Sequence, residues 1–166
     1  MKGDRLELVP PAARAIADAM VTKARDYLRK GKELEMVIAL ANTGAGMVNF
    51  VPLDDGSGDR DKGPHMARLL ARAMDADVAV LVSEIWQGPP CTKEERDKYK
   101  NVRDMPGARD MVMFSIETPA GTWMAHCAVA PHKGRTPRFI EDPVFKPVGG
   151  VEGRMVGFLP VRGTKQ

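Results

Sequence analysis

The chain has 166 residues, of which 43% are hydrophobic and 28% are charged. This composition is typical of one globular domain, here residues 1–166, and it excludes an intrinsically disordered chain. No apolar run reaches the ~20 residues of a membrane span, so we expect no membrane partner.

The net charge of +3 is carried by basic residues that mostly alternate with acidic ones, and aromatic residues make up only 5%. Nucleic-acid binders concentrate Lys and Arg on one face with aromatics interleaved, so we expect no primary nucleic-acid partner. Two cysteines, Cys91 and Cys127, do not form a disulfide framework. The first residues have no continuous apolar signal-peptide core. These features predict a cytoplasmic protein.

Two segments show the apolar spacing of amphipathic helices. The first, residues 12–30, follows Pro10-Pro11 and ends before Gly31. Its apolar stripe consists of Ala13, Ile16, Met20, Ala24 and the pair Tyr27/Leu28. The second runs from Pro64 to about Met74, and its spacing predicts Met66, Leu69, Leu70 and Ala73 inward with Arg68 and Arg72 outward.

Short apolar runs at 34–41 and 47–51, separated by a glycine-containing turn, predict a β-hairpin. A third strand, residues 77–86, is apolar on both faces until it reaches Glu84 and Trp86. Further short strands are expected at 138–140 and 155–159 in the tail. With the hairpin described next, the pattern predicts an α+β fold. We expect a five- or six-stranded antiparallel or mixed sheet, two helices packed on one face, and an irregular tail from about residue 131.

Residues 109–117 and 122–130 predict a second hairpin through the turn Thr118-Pro119-Ala120-Gly121. A three-residue loop would place Thr118 opposite Thr122 and His126 on the face of Val112 and Phe114. A two-residue loop would move His126 to the other face, because side chains alternate along a strand.

Glu84 raises the question of catalysis, because a carboxyl packed between Val82 and Trp86 would have a raised pKa, as a general acid needs. The alternative is an ion pair at the rim of the sheet, with Arg103 or Arg109 as the partner, and we favour it because an unpaired buried carboxylate is unstable. An enzyme would need Glu84, Arg109 and His126 to converge in one pocket.

The segment 87–108 is long, rich in proline and dense in charge, which is typical of functional loops. A short helical turn is expected around residues 93–100. The predicted binding residues are Trp86, Lys93, Arg96, Lys98 and Arg103, and Lys100 adds a further cation.

Metal and cofactor signals are weak. The side chains His65, Cys91, His126, Cys127 and His132 are zinc-ligand types without zinc-ligand spacing. The loop 54–63 imitates a calcium loop but has Arg60 and Met66 where glycine and glutamate are required. A strand instead of a helix follows Gly44-Ala45-Gly46, so this turn is not a phosphate cradle. We therefore predict no metal and no cofactor.

Three short motifs resemble a group of bacterial and phage-type proteins. They are Val82–Trp86 (VSEIW), Pro106–Asp110 (PGARD) and Glu152–Val156 (EGRMV). In that family a Ser-Glu-x-Trp motif ends one strand and a Pro…Arg-Asp segment starts the next. The resemblance covers about residues 65–160, and no known activity is implied by it.

Three functions remain open from the sequence. The first is a small non-enzymatic binding or accessory protein that acts through the 87–108 loop, with another protein as partner. The second is a small hydrolase-like enzyme that uses Glu84, and the third is a nucleic-acid-associated protein. A homo-oligomer is also compatible with the sequence.

Overall fold

The computed structural model of the protein describes residues 8–54, 56–130, 136–150 and 155–160. The helices are α1 (Pro11–Arg29), α2 (Lys62–Ala73) and the short α3 (Lys93–Asp97), with a 3-10 turn at Val102–Asp104. The strands are β1 (Val37–Asn42), β2 (Met47–Pro52), β3 (Val78–Gln87), β4 (Arg109–Thr118), β5 (Gly121–Ala130), β6 (Phe139–Ile140) and β7 (Lys146–Val148). None of these helices is long and apolar enough to cross a lipid bilayer.

The strands form one antiparallel sheet in the order β2-β1-β3-β4-β5-β6, and β7 also pairs with β5. The predicted α+β class and antiparallel sheet are confirmed. Two tail strands bring the count to seven, because β6 and β7 pair with different parts of β5. The strand expected at 155–159 is not formed. That segment instead places Phe158, 2% exposed, in the core.

The prediction that both long helices pack on one face of the sheet is wrong. Alternate residues of β1 point to opposite faces: Ala39 and Ala41 lie in the α1 core, whereas Ile38 and Leu40 lie in the α2 core. The sheet is therefore the middle layer between two helices. This arrangement explains why β3 is apolar on both of its faces.

The inward face predicted for α2 is also wrong in part. The buried residues are small ones, Gly63, Pro64, Ala67 and Ala71. Met66 and Leu69 are 53% and 42% exposed. Small side chains allow the helix to approach the sheet closely, so the larger apolar residues are left on its flank.

The β4–β5 hairpin has the two-residue loop Pro119-Ala120, with Thr118 opposite Gly121. The predicted pairing of Thr118 with Thr122 is therefore wrong. Each side chain of β5 shares a sheet face with the other set of β4 side chains from the one predicted. Trp123 faces Ile116 in the α1 core and is 2% exposed, whereas His126 faces Met113 and is exposed. Burial of the larger apolar ring favours this register.

The tight contact at the start of α2 predicts a specific sensitivity. A Cβ at Gly63 would lie 1.9 Å from the Leu53 carbonyl oxygen, so the helix would have to move away. We expect Gly63→Ala to lower the free energy of unfolding in urea by about 3 kcal/mol. Gly149→Ala is the matched control, because its Cβ would meet no atom within 4 Å. Equal stabilities of the two variants would contradict this account of the helix–sheet contact.

Candidate functional site

Two carboxylates lie side by side where β3 ends and β4 begins. The antiparallel register places Glu84 opposite Val112 and Trp86 opposite Asp110. Because alternate residues share a face, Glu84 and Asp110 both point toward the α1 side of the sheet. Their side chains are 12% and 1% exposed, so each needs a partner.

Arg138 supplies that partner from the segment that precedes β6. Its Nη2 donates to Glu84 Oε1 at 2.5 Å and also to Asp110 Oδ2. The Arg138 side chain is only 3% exposed. Such charge-assisted hydrogen bonds are stronger than neutral ones, and here they offset the burial of three ionisable groups. We call Glu84, Asp110 and Arg138 the ion-pair cluster.

Backbone groups from distant parts of the chain complete the surroundings of the cluster. The Leu34 N–H donates to Glu84 Oε2 at 3.3 Å, and the Arg138 N–H donates to the Leu28 carbonyl at 3.2 Å. Gly31 lies between these points with a φ of 73°, and a Cβ there would lie 2.5 Å from Thr136 Oγ1. The cluster therefore connects the end of α1, the segment before β1, the β3–β4 pair and the tail.

The charges in the cluster are unequal, since two carboxylates face one guanidinium. Burial, followed by the negative charge of Glu84, raises the pKa of Asp110. Burial alone would lower the pKa of Arg138, but hydrogen bonding and attraction to Glu84 and Asp110 outweigh it and raise that pKa. Arg138 therefore stays charged, and Asp110 takes up a proton more readily than an exposed aspartate does. Arg138 Nε is buried without a hydrogen-bond partner among the described residues.

Arg138, and not the expected Arg103 or Arg109, forms the ion pair with Glu84. Arg103 is exposed and lies 3.8 Å from Asp104, and Arg109 is exposed opposite Gln87. Arg138 was missed because it is far from Glu84 in sequence and its segment gives only a weak strand signal. The pattern Arg138-Phe139-Ile140 does alternate, and this was the available hint that Arg138 shares a face with Ile140.

Glu84, Arg109 and His126 do not converge. Glu84 lies on the α1 face of the sheet, His126 is exposed on the α2 face, and Arg109 lies beyond the cluster at the start of β4. Cys127 is buried, and this burial raises the pKa of its thiol to about 11. A protonated buried thiol does not act as a nucleophile or metal ligand.

The zinc-ligand types expected from the sequence do not form a described site. His132 lies outside the described residues, and Cys91 is exposed in the loop before α3. Over the parts of the chain that the structure describes, no three His, Cys, Asp or Glu side chains are grouped so that they could hold a metal ion.

The segment 88–108, which we call the charged loop, begins two strand positions beyond the cluster. Thr92 and Glu95 form a reciprocal capping box at the start of α3, with hydrogen bonds of 3.2 and 3.0 Å. Met105 is 7% exposed and anchors the loop near Gly88. The predicted binding residues Lys93, Arg96, Lys98 and Arg103 are all exposed, whereas Trp86 is half-buried.

No family model, curated protein or solved structure matched the chain when it was compared with them. The resemblance carried by 82–86 and 106–110 stays a prediction. Its third motif, at 152–156, lies mostly outside the described residues.

Replacement of Arg138 should be strongly destabilising, because it leaves two carboxylates buried without a counter-charge. We expect Arg138→Met to lower the free energy of unfolding by about 3–5 kcal/mol in urea titrations at pH 7. The triple variant Glu84→Gln, Asp110→Asn, Arg138→Met removes all three charges and should recover at least about half of that loss. If the triple variant is as unstable as Arg138→Met, the loss comes from packing and not from uncompensated charge.

The raised pKa of Asp110 predicts how stability changes with pH. A carboxyl whose pKa is higher in the folded state adds stability below its unfolded pKa, and that contribution is lost as pH rises through the folded pKa. Relative to Asp110→Asn, which cannot titrate, the wild-type protein should therefore gain stability as pH falls from 7 toward 4. The gain should be about 1.4 kcal/mol for each unit by which the pKa is raised.

Urea unfolding of both proteins across this pH range measures the difference. Asp97→Asn, which removes an exposed carboxylate, is the control. A difference between wild type and Asp110→Asn that is constant with pH, or that shrinks toward acid, would contradict the assignment.

Proposed function

We propose that this protein is a small non-enzymatic binding or accessory protein and that the charged loop is its protein-binding surface. The main support for the proposal is that the loop is both exposed and ordered. Most of its residues are exposed, yet it contains its own helix, a 3-10 turn and a buried anchor. Loops held in one conformation by a rigid scaffold are common binding surfaces.

The order in the loop supports binding through a preformed surface. The capping box of Thr92 and Glu95 satisfies the first turn of α3, and Asn101 and the turn that follows return the chain to Met105. Gly88 allows the close approach of Val102 and Met105, since a Cβ there would lie 3.3–3.4 Å from their side chains. Such a loop loses less conformational entropy when it binds a partner than a disordered loop does.

The side chains that the loop exposes suit a protein partner. Tyr99 is 38% exposed and Trp86 is half-buried at the base of the loop, and Tyr, Trp and Arg are the residue types enriched in interface hot spots. Acidic residues, Glu94, Glu95, Asp97 and Asp104, alternate with the basic ones. This mixture favours a partner with a patterned charged surface over a nucleic-acid backbone, which is uniformly negative.

The ion-pair cluster supports the proposal by a positioning role. Both Glu84 carboxylate oxygens accept hydrogen bonds, one from Arg138 and one from the Leu34 N–H. These two hydrogen bonds hold the Glu84 side chain in place, and the strand ends from which the loop leaves and returns are fixed together. A hydrolase-like role for Glu84 stays a prediction, as does association with nucleic acid.

Affinity capture with the full chain as bait tests the proposal. Lys93→Glu, Arg96→Glu and Lys98→Glu together reverse three exposed charges on and beside α3. The matched control reverses three exposed cations elsewhere, Arg60, Arg72 and Lys146. We expect a protein captured by wild type and by the control to be lost, by about tenfold or more in affinity, with the loop variant.

Tyr99→Ala should weaken the same complex without a change of charge. Retention of the partner by both loop variants would contradict the proposed surface. Capture of nucleic acid instead of protein, lost with the same variants, would overturn the choice of partner.

A further inference from the structure

Among the described residues, the outer edge of β2 carries only Pro52, at its end, as protection against pairing with another strand. The strand Met47–Pro52 (MVNFVP) contains no charged residue, and no described strand or helix pairs with its outer side. At the other end of the sheet, β6 and β7 cover β5. Natural sheets usually protect an edge with charges, a bulge or a covering segment, so the two edges differ in kind.

The alternation of hydrogen-bonded pairs between β1 and β2 shows which N–H and C=O groups of β2 face outward. The Leu53 N–H donates to the Met36 carbonyl at 2.8 Å, one step beyond the pair of Val37 with Pro52. In an antiparallel ladder hydrogen-bonded pairs alternate, so residues 47, 49 and 51 also turn their polar groups toward β1. The Ala41 carbonyl, opposite Val48, accordingly accepts from Asp77 on the β3 side. The N–H and C=O groups of Val48 and Phe50 therefore face outward.

These outward groups are self-complementary in one register. A two-fold axis at Asn49 pairs Val48 of one copy with Phe50 of the other, and each such pair exchanges both of its N–H···O bonds. A shift by two residues leaves one such pair instead of two, because Gly46 of the turn then lies opposite Phe50, or Pro52, which has no N–H, lies opposite Val48. In the Asn49-centred register the side chains of Met47 and Val51 also meet across the junction. Every flanking pair is apolar, and the two Asn49 residues lie directly opposite each other, each with its amide donating to Met74 Sδ of its own chain at 3.6 Å.

Apolar surface continues from this edge onto the α2 face of the sheet. Arg68 of α2 donates to the Val156 carbonyl at 2.9 Å, and Glu117 of β4 accepts from the N–H of Phe158, so the Arg68 flank points toward β4. Met66 and Ala73 lie on the opposite flank of the helix, on the side of β2, and Leu69 lies next to them and points away from the sheet. The exposed stripe on α2 and the exposed edge of β2 therefore belong to one surface.

The α1 face continues the same surface. Phe50 is 61% exposed and Val48 is 45% exposed, and both lie on the α1 side of the sheet because their partners Ala39 and Ala41 do. An apolar groove with a cavity of about 220 Å³ separates Phe50 and Pro52 from Met20 and Tyr27 of α1. The edge is thus apolar on both faces.

We propose that the occupant of this edge is a second copy of the chain, joined by antiparallel β2–β2 pairing about a two-fold axis at Asn49. The axis is perpendicular to the sheet, so the same face of the sheet points the same way in both copies. On one face the two α2 flanks lie opposite each other. On the other face each Phe50 ring lies beside Val48 of the other copy. With strands ~4.8 Å apart, helices that lie over β1 and β2 in each copy come within roughly 10 Å, the distance of packed helices. The sheet then runs unbroken through both copies.

Analytical ultracentrifugation of the full chain tests the dimer. Val48→Pro removes an outward N–H that the monomer does not use, so the monomer should keep its fold while the dimer loses one hydrogen bond per copy and weakens about 30-fold or more. Asn49→Asp places two like charges at the axis and should have a similar effect at pH 7. Val144→Asp, at an apolar residue that is 67% exposed elsewhere, is the matched control and should remain dimeric. Circular dichroism verifies that each variant is folded.

Disulfide cross-linking tests the register. In a Cys91→Ala background, Asn49→Cys should form an inter-chain disulfide readily, because the two residues are directly opposite at the axis. Met47→Cys should not, because its own counterpart is about 13 Å away along the strand. A wild-type protein that stays monomeric at all attainable concentrations, a dimer that Val48→Pro and Asn49→Asp leave intact, or equal cross-linking at 47 and 49 would overturn the proposal. Binding of an unrelated protein's strand to a monomeric chain would overturn it as well.

Discussion

The hydrogen bonds from Arg138 to Glu84 and Asp110 are the interaction on which the organisation of this molecule depends. Two strands that run in opposite directions bring their carboxylates together on a core-facing side, where neither can remain charged alone. One guanidinium from the tail satisfies both, and its backbone N–H bonds the end of α1. The segment 136–140, which forms few regular hydrogen bonds of its own, is thereby held in place. The charged loop then leaves from and returns to fixed strand ends.

The two edges of the sheet impose a second constraint, because an edge strand that no segment covers exposes unpaired N–H and C=O groups. The tail covers one edge, and Glu117 together with Arg68 holds residues 156–158 on the α2 face, with Gly157 and Phe158 N–H groups donating to the Glu117 carboxylate. No described segment performs this role at β2. The charged loop joins the ends of the central strands β3 and β4, whereas β2 lies at an edge of the sheet. The two proposed contacts therefore use separate surfaces.

Local sequence signals predicted the helices and strands well. The features that depend on contacts between distant segments could not be predicted from them. The helical period found α1, and turn chemistry found both hairpins. The face assignments of β5 depended on one residue of loop length, and burial of Trp123 decided it. Met66 and Leu69 of the predicted α2 stripe point away from the core, whereas Leu70 packs against it, because Gly63, Ala67 and Ala71 allow a closer approach to the sheet than larger side chains would. Glu84 was recognised as unusual, but its partner Arg138 lies 54 residues away, and no local pattern connects them.

The ion-pair cluster holds the tail, α1 and the base of the charged loop together. Native-state hydrogen exchange of Arg138→Lys against wild type tests it most directly, because a lysine keeps the charge but loses the guanidinium that donates to both carboxylates. We expect faster exchange at the amides of Leu34, Asp110 and residues 138–140, while the amides that pair β1 with β2 serve as the internal reference and stay protected. Unchanged exchange around the cluster, or an equal increase in β1 and β2, would contradict the account.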